Sequence, residues 1–167
     1  MGVPKCKKAS SGESNEFKQG FAKGNGDVLN VFYALLREEY EWSNEQIKDY
    51  SEYVFHAELY KDTAKMTEAF NKVKGFLKLN NYNKDKGMAS KSAYKRGRTK
   101  AEYESIVILF SVLAIRENWE YAEIGRAITK FFSWYRAAFD PTLSFNIGSV
   151  EKILKDNHNL VISRVEQ

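Results

Sequence analysis

AEYESIVILFSVLAIRENWEYAEIGRAITKFFSWYRAAF, residues 101–139, is the stretch whose reading decides the fold. From Ser105 to Ile115 only Ser105 and Ser111 interrupt the apolar residues. A helix with that composition is greasy on every side and needs neighbours all round it. At Glu117-Asn118-Trp119 the run turns into a second, amphipathic one, which sets Ile124, Ile128, Phe131, Tyr135 and Ala138 on one face until Asp140-Pro141 stops it. The pair reads as a helical hairpin with a buried first arm, which makes it the core rather than the site.

The segments before the hairpin carry helical periodicity too. Asp27 is a candidate N-cap for a helix with Val28, Leu29, Phe32, Leu35 and Leu36 on one face, ending near Tyr40. Ser43-Asn44-Glu45-Gln46 is a capping box, in which the serine and the glutamine satisfy amides that a helix start leaves unpaired; Ile47, Tyr50, Val54 and Ala57 follow as the inner face. A third helix is expected over residues 63–79 with Met66, Phe70, Val73 and Leu77 in a stripe, separated from the second by a break near Asp62. A last short helix is expected from Ser149 to Lys155, with Leu160-Val161-Ile162 docking as an extended tail and His158 as a cap or turn residue.

Two segments lack periodicity. Residues 1–26 are rich in Gly, Ser, Lys and Asn and read as a disordered tail, with Gly20, Gly24 and Gly26 as flexible lead-in because their spacing fits no phosphate-binding fingerprint. The start Met1-Gly2-Val3-Pro4-Lys5-Cys6 approaches an N-myristoylation motif but has Cys6 where Ser or Thr is usual, and reads as a basic leader. Residues 80–100, where Asn, Gly, Ser and Lys take over, read as a long mobile loop. The expected fold is therefore an all-α compact bundle of five or six helices. Residues 27–167 form one domain, divided into helical halves at 27–79 and 101–167 joined by the basic loop 80–100.

The two halves echo each other. LLREEYEWSNEQI at 35–47 and AIRENWEYAEI at 114–124 share Arg-Glu, an aromatic-Glu-aromatic set and a Glu before Ile, with two fewer residues at the second turn. Either each half contributes one helix-turn-helix to a pseudo-symmetric four-helix core, or two helix ends have converged by chance.

Composition narrows the function classes. With 43% hydrophobic and 29% charged residues over 167, the chain has enough apolar content for a core without staples. No apolar run reaches the ~20 residues of a membrane span, so no membrane role and a cytoplasmic setting are expected. One cysteine and two histidines make a zinc site improbable, and neither a metal nor a cofactor is expected. Glu45, Asp49, Glu52 and His56 share one helical face, but it lies opposite the apolar stripe and points to water, so no catalytic residues and no enzymatic activity are expected. Trp119 to Arg126 resembles the first half of a DNA-reading helix-turn-helix, yet bulky apolar residues follow where a polar recognition helix belongs.

Charge supplies the functional expectation. Between Lys72 and Lys100 there are ten Lys or Arg and one acid, whereas Asp27 to Asp62 holds nine acids and three basic residues. Lys84, Lys86, Lys91, Tyr94, Lys95, Arg96, Arg98 and Lys100 are the expected nucleic-acid contacts, DNA or RNA, through their phosphates, with Tyr82 and Tyr94 placed to stack on bases. The same charge would also dock on an acidic protein surface. The second reading is a protein-interaction module, an inhibitor, adaptor or assembly factor, anchored by Trp42, Trp119 and Trp134. Phe17-Lys18-Gln19-Gly20 followed by VFYALLREEYEWSNEQI is similar, over the first third of the chain, to small helical proteins of unknown role carried by phages and mobile elements. That resemblance implies an accessory protein rather than a metabolic enzyme.

Overall fold

The computed structural model describes residues 14–139, which form an all-α bundle. Five α-helices are present in this span: α1 (Asn15–Glu38), α2 (Asn44–Val54), α3 (Thr63–Leu79), α4 (Ala93–Glu117) and α5 (Tyr121–Phe139), with short 3-10 turns at Ala57–Lys61 and Met88–Ser90. The expected helix at 149–155, the tail at 160–162 and the myristoyl-like start lie outside the described residues.

Most boundaries have local causes. Ser43 Oγ accepts from the Gln46 amide at 3.2 Å and Gln46 Oε1 accepts from the Ser43 amide at 2.7 Å, which completes the expected capping box. Asp62 Oδ1 accepts from the Lys65 amide at 3.0 Å, so the break there is the cap of α3. Asn118 takes a left-handed conformation, φ 51°, and ends α4 at the expected turn.

Two expectations are corrected. The chain is helical from Asn15, where Ser14 caps α1, so residues 15–26 are not a tail and Asp27 is a buried mid-helix residue rather than a cap. Likewise α4 starts at Ala93, capped by Ser92 Oγ on the Lys95 amide, so the last third of the supposed mobile loop is helix. Both corrections share one cause, the crossing of α1 over α4, which is the largest interhelical contact among the described residues. A Cβ added at Gly20 would lie 1.9 Å from the carbonyl oxygen of Tyr94, and one at Gly97 would lie 2.1 Å from the carbonyl oxygen of Phe17. Backbone meets backbone there, which only glycine permits. Gly24 faces Arg98 in the same way, with a Cβ meeting its carbonyl oxygen at 2.7 Å.

These contacts are reciprocal: Phe17 and Gly20 on α1 stand to each other as Tyr94 and Gly97 do on α4, and each pair's glycine rests on the other pair's aromatic residue. Gly20 and Gly97 are 77 positions apart, as are Glu41 and Asn118, the left-handed residues at the two helix ends, and Trp42 and Trp119 beside them. The structural register therefore runs without the gap of the sequence echo, which had paired Arg37 with Arg116. Below the crossing the core is aromatic. Phe32 meets Phe110 edge-on at 5.0 Å and Phe110 meets Phe131 at 5.6 Å, while the fully buried Tyr50 donates its hydroxyl to the carbonyl of Leu109.

Gly20→Ala and Gly97→Ala are each expected to destabilise the protein by about 3 kcal/mol, the upper end of overpacking costs, because backbone has to move. Gly75 also lies inside a helix but faces open space, so Gly75→Ala should stabilise by roughly 0.5–1 kcal/mol. Urea unfolding of the three variants checks the contrast.

Candidate nucleic-acid interface

The basic stretch is built by three different pieces of structure. On α3, Lys74 and Lys78 are one turn apart and exposed. Asn80 ends that helix by donating its side-chain amide to the Phe76 carbonyl at 2.9 Å, and Asn81, with φ 61°, turns the chain back. The returning segment is held by its own contacts: Asn83 Oδ1 accepts from the Asp85 amide, Gly87 supplies a left-handed turn at φ 68°, and the Tyr82 hydroxyl donates to the Thr99 carbonyl at 3.3 Å. It lies against α4, whose first turns present Arg96 and Lys100.

Together these pieces make an open groove of about 880 Å³ lined by Lys74, Lys78, Lys84 and Lys86, with Asn71, Asn81, Asn83, Tyr82 and Tyr103 between them. Asp85 is its one acid. Lys84, Asp85 and Tyr103 are shared with a second recess of about 380 Å³ that contains Arg96 and Lys100. Lys100, Phe17 and Glu104 are shared in turn with a third, of about 300 Å³, that adds Lys18. The result is a connected path with seven basic side chains and two acids, running from α3 across the start of α4 to the start of α1. Such a strip suits a polyanion laid along it.

Of the expected contacts, Lys84, Lys86, Arg96 and Lys100 lie on the path. Arg98 does not, and its assignment is corrected. Its guanidinium sits 2.8 Å from Asp27 Oδ2 and 3.2 Å from Glu102 Oε2, and donates to the Tyr135 hydroxyl at 3.0 Å; that hydroxyl in turn donates to Glu102 at 2.6 Å. Asp27 is 5% exposed. Arg98 is the more deeply placed of two counter-ions to this buried carboxylate, the other being the exposed Lys23 at 3.2 Å from Asp27 Oδ1, and its loss would leave the buried charge with that surface partner alone. Lys91 is also turned inward, with its ammonium on Thr99 Oγ1 at 3.3 Å. Lys95 and Tyr94 are exposed but lie off the path, and the Tyr94 backbone is where Gly20 rests.

Lys18, Lys74 and Lys78 were missed. Their signal was in the sequence, as lysines spaced on helix faces, but only the fold joins them to the returning segment. The stacking role of Tyr82 is corrected as well: its ring lies parallel to Tyr103 at 6.3 Å and tilted on Phe132 at 5.6 Å, and Lys84 covers Tyr103. The aromatic faces are used within the protein, so the groove offers charge and amides rather than a stacking platform.

The tryptophans do not form an exposed surface. Trp42 is buried edge-on to Tyr50, which removes it as a partner anchor, while Trp119, packed at 4.8 Å on Tyr40, and Trp134 are half-buried. Ile124, Ala127, Ile128 and Phe131 of α5 are core residues, so the helix that follows the turn at Trp119 lays its apolar face on the core where a recognition helix would be polar. Glu45, Asp49, Glu52 and His56 are exposed, and no group of metal-ligating side chains occurs among the described residues. No described helix is long and apolar enough to cross a membrane. Comparison with protein-family models, with curated proteins and with solved structures finds no match for this chain.

Burial raises the pKa of Glu102 above the ordinary carboxylate value, against the lowering effects of the Tyr135 hydroxyl and the Arg98 charge. The folded state thus holds this proton more tightly than the unfolded chain. The associated stability is fully present below the unfolded pKa near 4.5 and is lost as pH rises through the folded value. Glu102→Gln keeps an acceptor for Tyr135 and abolishes the titration. Urea unfolding between about pH 4 and pH 7 should show the wild type losing stability relative to this variant as pH rises.

Proposed function

We propose that the chain is a non-catalytic accessory or regulatory protein that holds a nucleic acid by its phosphates in the groove between α3 and the start of α4, without strong sequence preference. The observation that carries this reading is the connected basic path, in which lysines distant in sequence converge while its two acids, Asp85 and Glu104, remain a minority. Asp85 is moreover paired with Lys84 at 3.0 Å. The asparagines along the floor supply amide donors for phosphate oxygens beside the ammonium groups. With the tyrosine faces occupied inside the protein, affinity comes from charge, and a groove open to solvent along its length suits a strand passing through it.

The test is fluorescence anisotropy of labelled single-stranded and duplex oligonucleotides. Changing Lys74, Lys78, Lys84 and Lys86 together to alanine should weaken binding by at least about tenfold and make the dependence of log K on log salt shallower by about 3 for a single strand. Changing Lys48, Lys61 and Lys65, which lie off the path, should leave the slope nearly unaltered. Equal loss in both variants, or no binding by the wild type at low salt, would overturn the reading.

A further inference from the structure

We infer that the chain is an internal duplication of a three-helix unit, and that the segment 143–157 is the occupant of the face formed by α1 and α2, as α3 is of the face formed by α4 and α5. The 77-residue register of the two glycines, the two left-handed turns and the two tryptophans continues beyond the described residues. Carried forward, it sets residues 140–156 opposite α3. The apolar stripe of α3, Met66, Phe70, Val73, Phe76 and Leu77, is matched by Leu143, Ile147, Val150, Ile153 and Leu154. Lys78 and Asn80 are matched by Lys155 and Asn157. A helical apolar stripe of that length needs a surface to cover it.

The structure holds the surface. Where α3 and its continuation pack on α5, Phe76 lies over Gly125, whose Cβ would come within 2.7 Å of the ring; Asn80 reaches Thr129; and Tyr82 lies on Phe132. The counterparts in the first half are Lys48, Glu52 and Phe55. Phe132 is 3% exposed, whereas Phe55 is 85% exposed, the largest exposure of any large apolar residue described. Ile106 and Ile128 are fully buried, while their counterparts Leu29 and Ser51 are half-buried. Gly26, the counterpart of Tyr103, has no atom within 4 Å of where a Cβ would stand. The first half is thus bare at the positions that the second half covers, and the segment of matching pattern begins directly after α5.

Thiol labelling of the full chain tests this. In a Cys6→Ser background, Phe55→Cys should react at least about tenfold more slowly than Leu79→Cys, although Leu79 is 78% exposed and Phe55 still more so in residues 14–139. Adding Ile153→Asp and Leu154→Asp should raise the Phe55→Cys rate to that of Leu79→Cys and leave the latter unchanged, which shows that the rest of the fold persists. Equal rates for the two cysteines in the otherwise unchanged chain would overturn the inference. Protection that disappears on dilution and ignores the aspartate pair would assign the face to a second copy of the chain instead, and would overturn it too.

Discussion

The rest of the structure depends on the contact of two peptide backbones at Gly20 and Gly97. No side chain separates α1 from α4 there, so the helices approach more closely than ordinary interdigitated packing permits. That approach draws the polar first turns of both helices into ordered structure, and it fixes the direction in which each diverges to enclose the aromatic core. Phe32, Phe110 and Phe131 fill the space that opens as the helices separate.

A charged cluster holds the same crossing from one side. Asp27 on α1, Arg98 and Glu102 on α4 and Tyr135 on α5 form a continuous set of ion pairs and hydrogen bonds with little access to water. Burying a carboxylate is costly unless a partner compensates it, so the cluster penalises any register of α1 on α4 that would separate Asp27 from Arg98. It also divides the basic stretch by role. Arg98 points inward to serve the fold, while Arg96 and Lys100, two residues away on either side, line the recess leading to the groove.

What was legible in the sequence was local. The capping box at Ser43, the break at Asp62, the bounds of α3 and the turn at Asn118 each depend on a few neighbouring residues, and all are found as expected. The beginnings of α1 and α4 depend instead on each other, across 77 positions. Three glycines between Gly20 and Gly26 lower helix propensity, and no window of sequence shows that two of them fit against a partner backbone. Ser14 and Ser92 cap these helices, but each stands in a polar stretch with glycines that reads as loop. The site was half legible for the same reason: the charge between Lys72 and Lys100 was plain, whereas its division among α3, the returning segment, α4 and the Asp27 counter-ion is set by tertiary structure.

The electrostatic asymmetry of the chain follows from this arrangement. The groove gathers lysines from α3 and the segment after it, while Glu45 and Asp49 stand exposed on α2. A polyanion approaching the molecule is drawn to one region and repelled from another. The most direct measurement is amide chemical-shift mapping of the isotopically labelled full chain on addition of a single-stranded oligonucleotide. The account predicts shifts concentrated in residues 71–86 and 96–104, with α2 silent. Shifts centred on α2, or none at saturating oligonucleotide, would contradict it.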